Sequence, residues 1–195
     1  MDFLATMFLI NCLWLIGCLP VVTAGASTAA LCHAWFRIYD RREEPMYRMF
    51  RNGFLSNLKQ ATAVWVVYLF LILDIGLVVW SKRQYGALPV WASAKPVIAL
   101  AAVVVLFAVF TAEYIFAVIA YYDCSTRQAV IDAMGLAFRY PQWTVLLLAM
   151  DAAAAVLVYF APFLALIAPA ACGAIRCRIT RKLFLLQEQT ARDDG

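Results

Sequence analysis

Charge is scarce in this sequence. Asp, Glu, Lys and Arg make up 14% of its 195 residues, where a soluble globular domain carries about 25%. Histidine is scarcer still, with one residue, His33. Zincin, P-loop and dinucleotide-binding patterns are missing, so no motif points to the metal or nucleotide chemistry they carry. The six cysteines (Cys12, Cys18, Cys32, Cys124, Cys172 and Cys177) include no CxxC pair and fall mostly in apolar stretches. They read as small buried residues and not as a disulfide or metal framework. The first residues, Met1-Asp2-Phe3, lack a basic stretch. The apolar run after them outlasts a signal peptide, so a retained span is expected.

Hydrocarbon takes the place of charge. Hydrophobic residues are 66% of the chain and the mean hydropathy is +0.81. Soluble domains are about 45–50% apolar, so a soluble enzyme domain, a disordered chain and a coiled coil are all excluded. The expected fold is all-α: one polytopic helical membrane domain over residues 1–195, with about five spans.

Those spans are expected near 3–24, 61–80, 96–121, 143–160 and 163–180. Each approaches the ~20 residues that cross a ~30 Å hydrocarbon core. The last two divide a stretch from Trp143 to Ile175 whose single charge is Asp151. As one helix that stretch would run about 50 Å, and Pro162 and Pro169 supply breaks. A single long, kinked and tilted helix is the competing reading. The net charge is +4, but orientation follows Lys and Arg in short loops. Arg37, Arg41, Arg42, Arg48, Arg51 and Lys59 follow the first span. Only Lys82, Arg83 and Lys95 follow the second, and Arg127 and Arg139 the third. Arg176, Arg178, Arg181, Lys182 and Arg192 lie in the tail. With the first loop cytoplasmic, the N-terminus is outside, and an odd span count puts the tail inside. Trp80, Trp91 and Trp143 would mark the interfaces.

Cytoplasmic helical segments are expected over 26–57 and 125–140. Ser27 or Thr28 can cap a helix after Gly25. Ala30, Leu31, Ala34, Trp35 and Ile38 then recur at helical spacing, which predicts an amphipathic helix lying at the inner interface. A second short helix, about 45–57, would bury Met46, Met49, Phe50 and Phe54 and expose Arg48 and Arg51. In the other segment Ala129, Ala133, Leu136 and Ala137 form the apolar face.

Leu13-Trp14-Leu15, then Leu19-Pro20-Val21-Val22-Thr23-Ala24-Gly25-Ala26-Ser27-Thr28-Ala29-Ala30-Leu31, resembles the signature of the YesL family, also called domain of unknown function 624. The match continues through Arg42-Glu43-Glu44, Phe50, Phe54, Asn57, Lys59-Gln60-Ala61-Thr62 and Trp65. A weaker echo follows at Tyr114-Ile115-Phe116, Tyr122-Asp123 and Ala137-Phe138-Arg139-Tyr140-Pro141. The likeness is specific over 11–65 and loose beyond 85. Tyr121-Tyr122-Asp123 departs from the Arg-aromatic-acid run of many members. The resemblance implies a small bacterial inner-membrane protein, encoded beside carbohydrate ABC importers and polysaccharide-degrading enzymes. It supplies no catalytic residues.

Three acids fall inside expected spans: Asp74, Glu113 and Asp151. A charge at the bilayer centre costs about 2.5–3.5 kcal/mol on insertion scales, so each asks for a reason. At 1.5 Å per residue, Glu113 and Asp151 both sit about 12 Å from the inner boundary, and Asp74 about 9 Å from the outer one. The first two can therefore meet. No Lys or Arg is expected deep in a span beside them. They serve either as a proton or cation relay or as hydrogen-bonded acids holding helices together beside Thr111, Tyr114 or Tyr159.

Other constellations are weaker. Gly25-Ala26-Ser27 followed by His33 has the elements of an intramembrane serine protease, but Ser and His six apart do not share a helix face. Asp74-Ile75-Gly76 lacks a second aspartate motif. Cys172 and Cys177 share no helix face and have no nearby His. Ala149 and Ala153 give a small-xxx-small spacing, either for packing within the chain or for docking a partner or second copy. Asp132-Ala133-Met134-Gly135 distantly resembles the ATPase-coupling loop of importer permeases.

The expectation is a non-enzymatic accessory protein of carbohydrate uptake in the cell membrane, without cofactor, metal or nucleic-acid partner. Pro20, Gly25, Ser27, Glu43, Glu44, Asn57 and Lys59 would serve shape and docking, with importer subunits or a second copy as partners. The alternative is a small transporter or permease subunit that uses Glu113 and Asp151. An intramembrane enzyme built on Ser27 and His33 is the third reading.

Overall fold

A computed structural model describes residues 3–41, 44–85, 95–122, 124–161 and 167–193. The described residues are helical, with no strand among them. The helices are α1 (Phe3–Cys18), α2 (Ala24–Tyr39), α3 (Met46–Tyr85), α4 (Lys95–Tyr121), α5 (Thr126–Arg139), α6 (Pro141–Phe160) and α7 (Ala168–Asp193). Three are long and apolar enough to cross a membrane: Met46–Gln84, Val97–Tyr121 and Pro141–Phe160. The apolar helix Ala5–Cys18 is shorter. The chain is a membrane-embedded helical protein.

The first expected span breaks where its proline lies. Pro20 lacks an N–H and disfavours the helical region for Leu19. A single 3-10 turn, Val21–Thr23, follows. Thr23 Oγ1 donates to the freed carbonyls of Gly17 (2.8 Å) and Pro20 (2.9 Å). The chain then reverses: Ser27 Oγ donates to Trp14 O at 2.8 Å, and Trp14 Nε1 donates to Thr28 Oγ1 at 3.3 Å. Contacts across 13 and 14 residues require a hairpin. Residues 3–24 are thus one arm and the tip of a hairpin rather than a single crossing.

The second arm, α2, departs from the expected interfacial helix. Ala26, Ala29, Ala30, Ala34 and Trp35 are all fully buried, and Leu31, Cys32 and Phe36 nearly so. Small residues let neighbouring backbones close on α2 from several sides, so it is central and not half-exposed. Gly25 lies against Trp65 and Ala61, and Gly53 against His33. Those pairs run α2 antiparallel to α3. Since α1 is also antiparallel to α2, α1 and α3 point the same way. The start of α1 therefore lies at the same end of the bundle as Arg37, Arg48 and Arg51.

The short helix expected over 45–57 is the first part of α3, which continues without interruption for 40 residues. The polar run Lys59-Gln60 does not stop it, because neither residue breaks a helix. Gln60 Nε2 donates to Cys124 O at 3.1 Å, so one side chain of this run ties α3 to the end of α4. Helix α4 returns antiparallel to α3, with Tyr68 and Thr111 hydroxyls 2.8 Å apart. Ser125 caps α5 by accepting from Gln128 N at 3.3 Å. Pro141 opens α6, where a missing N–H costs nothing. Helix α7 runs alongside α2, with Gly173 against Leu31 and Phe184 against Phe36. Its middle reaches Asp40 through Arg181 Nη2 at 2.7 Å.

Beyond the hairpin tip, α3 and α4 bare their hydrocarbon. Val67, Phe70, Leu73, Leu77, Leu100, Val103 and Leu106 are all exposed, as lipid-facing residues are. Trp80 is exposed at the far end of α3, ahead of Lys82 and Arg83. Trp91 and residues 163–166 of the last expected span lie outside the described residues.

Candidate functional site

Glu113 on α4 and Asp151 on α6 come together, as their equal depth allowed. A third residue joins them. Arg176 Nη2, from α7, is 3.0 Å from Glu113 Oε2 and in contact with Asp151 Oδ2. The absence of a deep basic partner is thereby corrected. Arg176 belongs by sequence to the basic tail, but α7 starts at Ala168, so Arg176 is about 12 Å into the helix. The Glu113 side chain is 6% exposed, Arg176 18% and Asp151 37%. One guanidinium faces two carboxylates, so the fully ionised trio carries one excess negative charge. Among the described residues neither Glu113 Oε2 nor the buried Arg176 Nε has a hydrogen-bond partner, so the Glu113 contact is an ion pair. Such a trio can lock three helices together. It can also hold a proton between two carboxylates.

One signal in the sequence locates Arg176. Helices on either side of a tight break pair residues at matching offsets from it. Asp151 is ten residues before Ala161, and Arg176 is nine after Ile167. Asp74 stands apart, exposed on α3. Of the expected neighbours, Tyr114 meets Thr144 (3.1 Å) and Thr111 meets Tyr68, while Tyr159 is exposed.

The Ser27–His33 pair is not brought together. Ser27 faces α1, where its hydroxyl is used by Trp14 O, while His33 faces α3 and α4. Its Nδ1 lies 3.4 Å from Ala120 O, and its Nε2 accepts from Arg37 Nε at 3.5 Å. Cys32 and Cys177 lie side by side between α2 and α7, and all six cysteines are free thiols. Tyr39 OH donates to Ala174 O at 2.8 Å. This residue is outside the three long apolar helices, and burial pushes its hydroxyl up to about 12.

The residues expected to dock a partner divide into two groups. Gly25, Ser27 and Asn57 are buried inside the bundle, and Asn57 Nδ2 donates to Gly53 O at 3.0 Å. They shape helix contacts within the chain. Pro20, Glu44 and Lys59 are exposed. Glu43 lies outside the described residues. Ala149 and Ala153 are exposed on α6, so no described helix packs over the small-residue face. Asp132 accepts from Gln128 Nε2 at 2.8 Å on α5.

The hairpin, its broken tip and the helix that cradles both form one continuous unit. Residues 7–77 match the family described as Protein of unknown function, DUF624. This stretch is similar to the DUF624 family. It holds most of α1, all of α2 and most of α3, and it includes the 11–65 signature on which the resemblance rests. Among curated proteins and solved structures, nothing matches the chain. Glu113, Asp151 and Arg176 all lie beyond the matched stretch, while Asp74 lies within it.

Proposed function

We propose that the protein is a non-enzymatic component of the bacterial cell membrane, an accessory to carbohydrate uptake that works by helix packing and docking. The observation that carries this reading is where its polar residues are spent. Ser27, the hydroxyl of the serine-protease reading, donates to a backbone carbonyl in the hairpin. His33 is held between Ala120 and Arg37. Both serve helix packing. The outward Ala149–Ala153 face on α6 offers a surface on which an importer helix or a second copy can close. The link to ABC-type importers rests on the family resemblance. Co-purification from native membranes with an importer's permease or ATPase subunits is the expected result. Clean isolation as a lone species from cells making that importer would count against it.

The basic end of the bundle is proposed as cytoplasmic, following the positive-inside rule. The start of α1, Arg37 to Arg41, Arg48 to Arg51 and the Arg178–Lys182 part of α7 share that end. Cysteine labelling at engineered positions in all four should report one compartment.

The Glu113–Arg176–Asp151 trio favours a second reading, a small transporter. Intramembrane ion pairs facing a bundle interior mark ion pathways in many carriers. Flux in proteoliposomes that vanishes in both Glu113→Gln and Asp151→Asn would select it. Wild-type flux in both would remove it.

A further inference from the structure

A second polar site lies within the matched stretch and its neighbour α4, apart from the trio. A cavity of about 300 Å³ opens between α2, α3 and α4 at the basic end of the bundle. Its wall includes His33, Arg37 and Asp40 from α2 and its cap, Asn57 from α3, and Tyr121 from α4. The volume is at the small end of the range for ligand pockets.

The charges on this wall do not cancel. Asp40 is claimed by Arg181 at 2.7 Å, an ion pair reaching in from α7. Arg37 makes no ion pair among the described residues. Its Nε is spent on His33 Nε2, a long contact that sets the direction of the guanidinium. On its other side His33 Nδ1 faces Ala120 O at 3.4 Å. The two terminal nitrogens of Arg37 remain, a planar fork whose geometry suits bidentate oxyanions. Asn57 is 9% exposed and spends one amide hydrogen on Gly53 O. The second hydrogen remains for a ligand.

We infer that this cavity binds a small phosphate-bearing anion, with Arg37 as the fork, Asn57 as an added donor and His33 as the residue that orients Arg37. Arg181 acts without touching the ligand, by neutralising the carboxylate beside it. The phosphate can belong to a free ester or to a lipid headgroup at the bilayer surface, since both present the same oxygens.

The test uses the full chain in uncharged detergent, titrated calorimetrically with inorganic phosphate and with glycerol 3-phosphate. A parallel set in nanodiscs compares phosphatidylglycerol with phosphatidylcholine. One saturable site per chain is expected. Arg37→Gln should weaken it at least tenfold, and Arg37→Lys by less, because an ammonium keeps the charge but loses the fork. Arg181→Gln should weaken it several-fold by freeing the Asp40 charge, with an unfolding midpoint in phosphate-free buffer close to that of the wild type. Retention of phosphatidylglycerol alone, lost in Arg37→Gln, would assign the phosphate to a lipid. No saturable binding of either form by the wild type would overturn the inference, as would equal binding by Arg37→Gln. If Arg37→Gln does not fold, Arg37→Lys and Arg181→Gln decide, and wild-type affinity in both is the refuting result.

Discussion

Gly25→Ala sets two effects of opposite sign against each other. Within a helix, replacing Gly by Ala gains about 0.5–1 kcal/mol from lower backbone entropy in the unfolded chain. A Cβ at position 25, however, would stand 2.4 Å from Trp65 Cβ and 2.7 Å from Ala61 O. Neither atom is the free end of a side chain, so α2 and α3 must separate. Overpacking of this kind costs about 1–3 kcal/mol. It also strains the 2.7 Å bond from Trp65 Nε1 to Val21 O, which ties the hairpin tip to α3. The net expectation is a loss of roughly 1–2 kcal/mol. Reversible unfolding in mixed micelles, followed by helical circular dichroism, measures it. Gly135→Ala on α5 is the control, since nothing lies within 4 Å of a Cβ there. That variant should gain about 0.5–1 kcal/mol. Equal stabilisation by both substitutions would refute the close approach of α2 to α3.

Other outcomes follow from the same contacts. Arg176→Met strands Glu113 and Asp151 against each other and should cost about 3–5 kcal/mol; the triple variant that also carries Glu113→Gln and Asp151→Asn should recover most of it in the same assay. Ser27→Ala removes one hydrogen bond to Trp14 O and should cost about 1 kcal/mol, visible as a lowered unfolding midpoint. Asp40→Asn breaks a part-exposed ion pair and should cost about 0.2–1 kcal/mol in low salt, an effect that high salt should erase.

The helical membrane class was legible because long apolar runs leave few alternatives. Equal depth made the meeting of Glu113 and Asp151 possible, but which helices adjoin was not written in it. Arg176 was hidden because a count of basic residues assigns each Arg to the nearest loop, whereas a helix can carry its charge a further two turns. The burial of α2 was hidden for another reason. Periodicity detects large apolar residues on one face, and α2 packs through Gly25, Ala26, Ala29, Ala30 and Ala34, whose value lies in what they leave out. The hairpin was missed because a length near 20 residues suggests a crossing even where a proline turns the chain back. Arg37 was counted for orientation, and its lack of a carboxylate partner among the described residues became visible only once Asp40 was seen to be taken by Arg181.

The position of Arg176 bears on how the polypeptide is put together during synthesis. A guanidinium two turns inside the final helix is poorly received by lipid on its own. Its two counter-ions reside on segments made earlier, so α7 finds a stable berth only after α4 and α6 are in place. Removing either acid would leave α7 without one of its two counter-ions and more open to membrane proteolysis.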